Sequence, residues 1–199
     1  TDDTIFHVLT LLRFGRFDEI LAVTERPEQD ASGGLWDFAQ GYAHLKAGDV
    51  DFAQLYLDRV MALAQTTTAR FRFDEAKLLL GAVGGILEGE IEFEAGNLAA
   101  AIRVFERAVD IEDQLEYSEP EPFPFAARHW LGAALIEAER YADAERVYRE
   151  ELEDHPHNGW SLYGLKMALE AQGESLADTS TEFDASWARS DVWIASSKF

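Results

Sequence analysis

The sequence predicts an all-α fold: a solenoid of about five stacked helix pairs. Three observations predict it. The first is a recurring pattern in which a small residue is followed seven positions later by a turn residue, usually Gly. An Ala comes five positions after that, then an aromatic residue or Leu, then another small residue. The second is the placement of Gly15, Gly48, Gly96 and Gly173 between apolar runs of helical period, with Glu139 in the same place in the fourth copy. Glycine tolerates the positive φ of a helix C-cap and is the natural turn residue there. The third is composition. Apolar residues make up 47% of the 199-residue chain, enough for one domain with a real core. Residues 1–199 therefore read as one solenoid domain, with units near 1–33, 34–68, 69–116, 125–158 and 159–190.

The first pair, DTIFHVLTLLRFGRFDEILAVTERP, places Ile5, Val8, Leu9, Leu11 and Leu12 on its first helix. Its second helix starts near Arg16 and must end before Pro27. In the second pair, Gly41 and Ala53 stand where helices approach closely, and Thr66, Thr67 and Thr68 break the pattern. The third unit opens with FRFDEAKLLLGAVGGILEGEIEFEAG, whose apolar residues have helical spacing despite Gly81, Gly84, Gly85 and Gly89. Glycine inside a helix costs roughly 1 kcal/mol against Ala, so close helix packing is the expected compensation. The next helix sets Ala101, Phe105 and Ala108 on one face. In the loop at 117–124, Pro120, Pro122 and Pro124 forbid a helix and favour a stiff extended run. The last pair, at NGWSLYGLKMALEAQGE and LADTSTEFDASWARS, puts Phe183 and Trp187 one turn apart. A tail at 191–199 alternates apolar and polar residues, as a cap over an open end would.

The copies resemble the tetratricopeptide repeat. The fourth carries Leu131, Gly132, Ala144, Tyr148 and Pro156 in that family's order. The third carries Gly89, Gly96, Ala101, Phe105 and Ala108, and the second Gly41, Gly48, Ala53 and Leu57. The first and fifth depart from the pattern, at Ile20 and Lys166. The stretch from Tyr117 to the end also looks like the C-terminal part of longer bacterial proteins of this type without an assigned function. The resemblance implies a right-handed superhelix whose first helices line a concave groove, a partner peptide in that groove, and no catalytic residues.

Composition narrows the partner. Thirty-eight acids face 17 bases, a net charge of −21. Nucleic acid needs a basic stripe and an anionic membrane surface needs cations, so neither is an expected partner. The acidity reads first as a solvated surface that keeps the chain soluble, and second as an attraction for a basic protein or peptide. The chain has no Cys, which excludes disulfides, thiolate metal sites and cysteine nucleophiles. No apolar stretch reaches the length of a membrane span, and TDDTIFHV does not read as a signal peptide. A cytoplasmic location is the expectation. The missing initiator Met suggests a piece of a longer chain.

Carried onto this sequence, the register points Phe38, Tyr42 and Lys46, then Glu90 and Phe93, then His129, Trp160 and Tyr163 into the groove. Aromatic residues at both ends with acids between suit an extended peptide with apolar anchors and a basic residue. The competing reading is that several of these rings pack against the Pro-rich loop or the tail, since Phe123 and Phe125 need partners. A small-molecule or accessory pocket under that loop is the second functional reading, with Tyr117 and Phe123 in its wall. Self-association into a homo-oligomer is the third. His155 and His157 flank Pro156 at a metal-like spacing, but in a turn that exposes its neighbours anyway, so no metal is assigned. No nucleophile elbow, phosphate loop, HExxH or EF-hand pattern occurs. The expected function is a non-enzymatic interaction module without a cofactor.

Overall fold

A computed structural model describes residues 2–199, with side chains from Ile5 onward. The predicted first unit begins at residue 1, which lies outside the described residues. Ten helices follow one another in the described chain: α1 (Asp2–Arg13), α2 (Phe17–Ala22), α3 (Asp30–Lys46), α4 (Val50–Thr66), α5 (Ala76–Glu94), α6 (Leu98–Glu112), α7 (Ala127–Glu137), α8 (Tyr141–Asp154), α9 (Gly159–Gln172) and α10 (Ala177–Trp187). Short turns join most of them, with longer connections at 67–75 and 113–126, and most helices adjacent in sequence pack on one another, as in a helical repeat.

The turn positions follow the repeat register. Gly15, Gly48, Gly96 and Gly173 have φ of 64°, 83°, 79° and 73°, and Glu139, in the same role, has 57°. Each hands the chain from one helix to the next in the left-handed region that glycine enters without strain and Glu139 does not. Asp49 caps α4 by accepting from the Phe52 N–H at 3.3 Å, and Asn158 caps α9 by accepting from the Trp160 N–H at 3.1 Å.

One element departs from expectation. FRFDEA, read as the start of a helix, begins with a two-stranded antiparallel ladder, β1 (Arg70–Phe71) and β2 (Asp74–Glu75), pairing Arg70 with Glu75 and Phe71 with Asp74. Arg72 takes φ of 56° in the turn. Apolar spacing alone does not distinguish a few residues of helix from a tight hairpin.

The chain divides into two compact units. Unit 1 comprises residues 1–127 together with Phe199, and unit 2 comprises residues 128–198. The division falls just after the three prolines, which stop helix pairing there.

In unit 1, α3 packs on α4 and α5, α4 on α5, and α5 on α6. Close approach explains most of the helix α5 glycines. A Cβ on Gly89 would overlap the Phe105 ring, and one on Gly85 would lie 2.9 Å from the Ala108 Cβ. In unit 2, α8 packs on α9 and α9 on α10. There the Tyr148 ring lies between Gly132 of α7 and Gly164 of α9, and a Cβ on either glycine would overlap it. The aromatic and glycine positions of the repeat pattern are thus two halves of one contact.

Candidate functional site

Four of the residues expected to face a partner are closed off from solvent. Phe38, Tyr42, Glu90 and His129 all have zero exposure. For Phe38 and Tyr42 the cause is a ring cluster within unit 1. Phe125 lies 6.0 Å from Phe38, and Phe199 lies 5.6 Å from Tyr42 and 5.7 Å from Phe125. The Tyr42 hydroxyl donates to the Phe199 carbonyl at 2.6 Å, and Phe123 stacks on Phe125 at 5.6 Å. Six rings with Phe17 satisfy one another, so Phe38 and Tyr42 are core residues and not a contact surface.

Glu90 is buried because Lys46 reaches it. The Lys46 ammonium pairs with Glu90, bonds Glu94 at 2.7 Å, and sits 5.4 Å from the Tyr42 ring centre. Burial pushes its pKa down, but the two carboxylates together outweigh burial and hold it above the ordinary lysine value. A second buried carboxylate in unit 1, Asp37, receives both Nε and Nη2 of Arg26 at 2.7–3.1 Å. That hydrogen bonding raises the Arg26 pKa further. Phe93 is half-buried.

His129 belongs to a polar network inside unit 2. Its Nε2 lies 3.0 Å from Ser161 Oγ and 3.7 Å from Glu151 Oε1. Ser, His and Glu are the residues of a hydrolytic triad, but a triad needs the acid on the ring nitrogen away from the nucleophile. Here both partners meet the same nitrogen, and Ser161 has zero exposure. The network continues through structural contacts. Ser197 donates to the His129 carbonyl at 2.8 Å, which leaves Tyr148 as the donor in its 2.6 Å bond to Ser197. Asn158 donates to Glu151 at 3.1 Å, and His155 Nδ1 lies 3.0 Å from the same carboxylate oxygen.

Trp160 and Tyr163 are half-buried against α10. Trp187 meets Trp160 edge-on at 4.7 Å, and Phe183 lies 5.8 Å from Tyr163. They retain some exposed surface, unlike Phe38 and Tyr42.

Tyr117 and Phe123 separate. Tyr117 is 78% exposed, and its hydroxyl bonds Glu119, which raises its pKa. Phe123 is buried and forms part of the wall of a recess of about 320 Å³ within unit 1. Phe6, Leu9 and Thr10 of α1 form the facing wall, and residues 120–124 the remainder. Phe6 has no role in the sequence expectations. Arg72, also unassigned, lies 5.7 Å over the Phe6 ring and donates to the Pro120 carbonyl.

Among the described residues, no group of three or more His, Cys, Asp or Glu side chains is arranged to hold a metal ion. No helix among them is long and apolar enough to cross a membrane. No family model matches the chain, and no curated protein or solved structure matches it significantly.

Proposed function

We propose that the chain is a non-enzymatic interaction module, a tetratricopeptide-like stack of helix pairs with the right-handed superhelical course of that family, which binds a protein or peptide partner. One observation carries this reading: unit 1 covers its first-helix rings yet leaves other apolar side chains exposed, Phe14, Val50, Phe52 and Leu55 among them, and Phe6 in the wall of its recess. Phe6 is 36% exposed, Phe73 59% and Tyr117 78%. Monomeric surfaces tolerate scattered apolar residues, but this many exposed large apolar side chains beside an apolar recess favour a partner. The polar groups with catalytic potential support the same reading, because Ser161, His129, Glu151 and Glu90 serve packing instead.

A second reading, self-association, draws on a different observation. Trp193 in the tail of unit 2 is 98% exposed. Sedimentation velocity over a range of concentrations separates the two. A concentration-dependent size lost in Trp193→Ala favours self-association. Photo-crosslinking in the source cells then tests the leading reading, with the crosslinker placed at Phe73 or Tyr117 and, as a control, at exposed Gln54. One defined protein captured from the first two sites and not the third supports it. Equal capture from all three, or none, defeats it.

A further inference from the structure

We infer that the recess between α1 and the Pro-rich segment is an anchor pocket for a basic peptide, taking one large apolar side chain of a segment that carries Lys or Arg beside it. This rests on the interaction-module reading and names its site and partner chemistry.

Size comes first. At about 320 Å³ the recess lies at the bottom of the range of roughly 300–1,000 Å³ typical of small-molecule sites. It has room for one or two large side chains. Its lining then selects an apolar occupant. Only Thr10 and Glu121 bring polar side chains to it, and the Thr10 hydroxyl already donates to the Phe6 carbonyl at 2.6 Å. Phe6, Leu9, Pro122 and Phe123 supply the rest of the contact.

The walls are set before any partner arrives. Three prolines fix φ along 120–124. Two bonds from the hairpin hold the loop: Arg72 donates to the Pro120 carbonyl, and buried Asp74 accepts the Glu116 N–H at 2.8 Å. A pocket already formed loses little ordering entropy on binding.

Charge selects what flanks the anchor. Glu121 lines the recess, and the neighbouring segments 70–77 and 112–120 carry six more carboxylates against Arg70, Arg72 and Lys77. Of these, Asp74, Glu112 and Glu75 are engaged with the Glu116 N–H, the Ala127 N–H and Lys77. Arg72 is committed to Pro120 and Phe6, while Glu116, Glu119 and Glu121 are exposed. An acidic rim around an apolar hole attracts a basic segment and repels an acidic one, and its effect weakens with salt.

The test is a display selection of short random-sequence peptides on the whole chain, followed by affinity measurements on the enriched peptides by fluorescence anisotropy. The blocking variant is Thr10→Trp, which fills the recess from an exposed position of α1. Circular dichroism and a melting curve verify its fold. A second variant, Glu121→Lys, reverses the rim charge at an exposed position should Thr10→Trp misfold. The expected peptides pair one large apolar residue with neighbouring Lys or Arg. They lose about tenfold or more in affinity for Thr10→Trp. They lose several-fold for Glu121→Lys, with a flatter salt dependence. Enriched peptides that bind both variants like wild type overturn the pocket while leaving the module reading in place. Acidic peptides, or peptides without an apolar anchor, overturn the partner chemistry. If no peptide is enriched, the pocket reading falls, and the crosslinking experiment still decides the module reading.

Discussion

The two units fasten their interiors differently. Unit 1 buries Asp37 and Glu90 against Arg26 and Lys46, and surrounds them with interlocking rings. Unit 2 buries Glu151 beside Asn158 and two histidines, and threads hydroxyls from Tyr148 through Ser197 to the His129 carbonyl. Its central ring also has less slack. Tyr148 meets glycine on two helices, whereas in unit 1 Gly89 meets Phe105 and Gly85 meets only the Ala108 methyl. Unit 1 is held by buried Lys and Arg ion pairs among rings, and unit 2 by a tight ring, a hydroxyl chain and a carboxylate beside histidines, although both grow from one repeat pattern. The repeat fixes where helices touch, and the residues that fill the contact decide how it responds to mutation and pH.

The largest expected effect tests the slack. Gly132→Leu places a branched side chain where the Tyr148 ring lies, and Gly164 prevents that ring from retreating. The expected loss is on the order of 4 kcal/mol, or failure to fold. Gly85→Ala in unit 1 sets a single methyl 2.9 Å from the Ala108 Cβ, which its backbone holds, so α5 and α6 must part to admit it, at an expected cost of about 1–3 kcal/mol. Urea unfolding of both variants checks the ranking. Similar midpoints would show that the two contacts are equally loose.

Next comes the charge pairing of unit 1. Lys46→Met leaves Glu90 buried without its ammonium, at an expected cost of about 3 kcal/mol. Adding Glu90→Leu removes the stranded carboxylate and restores most of that, because an apolar pair of similar volume is often neutral there. A double variant as unstable as Lys46→Met would mean that Lys46 acts through packing on Tyr42 instead.

Alkaline pH weakens both units for opposite reasons. Lys46 has a raised pKa in the fold, so its contribution is complete below the ordinary lysine value and disappears as pH climbs through the folded value. Burial raises the Tyr148 pKa well above the ordinary tyrosine value. The unfolded chain therefore gives up the tyrosine proton first, and stability falls from about pH 10 upward. Tyr148→Phe is expected to cost about 1 kcal/mol at neutral pH through the lost hydrogen bond. It also removes the tyrosine share of the alkaline loss. Urea midpoints of wild type and variant measured across that range test it, and parallel curves would sink the idea.

Much of this architecture is legible in the sequence because contact and turn positions repeat. Gly132 and Tyr148 are chosen from spacing alone and prove to touch. Glu139 is placed at a turn by register and has the φ of one. The functional surface is less legible. The register that predicts a first-helix position cannot tell whether a distant segment covers it, and Phe125 and Phe199 cover Phe38 and Tyr42 from 87 and 157 positions away. The recess is hidden for the same reason, since α1 and residues 120–124 meet only in three dimensions. The short hairpin, with Arg72 at its tip, carries no periodic signal at all.

The smallest effect isolates backbone strain from packing. Unit 1 makes its turns with Gly48 and Gly96, where a Cβ would meet nothing within 4 Å, while unit 2 makes the equivalent α7–α8 turn with Glu139 at φ of 57°. Space is therefore no obstacle to Gly96→Ala, and its expected cost of about 1 kcal/mol comes only from forcing a Cβ into the left-handed region. The converse change, Glu139→Gly, relieves the same strain and raises stability by about 0.5–1 kcal/mol, less the entropy that glycine adds to the unfolded chain. Opposite shifts in melting temperature for the two variants would show that the repeat asks for backbone freedom at this position in both units. A destabilised Glu139→Gly would mean that the glutamate side chain contributes more than its backbone costs.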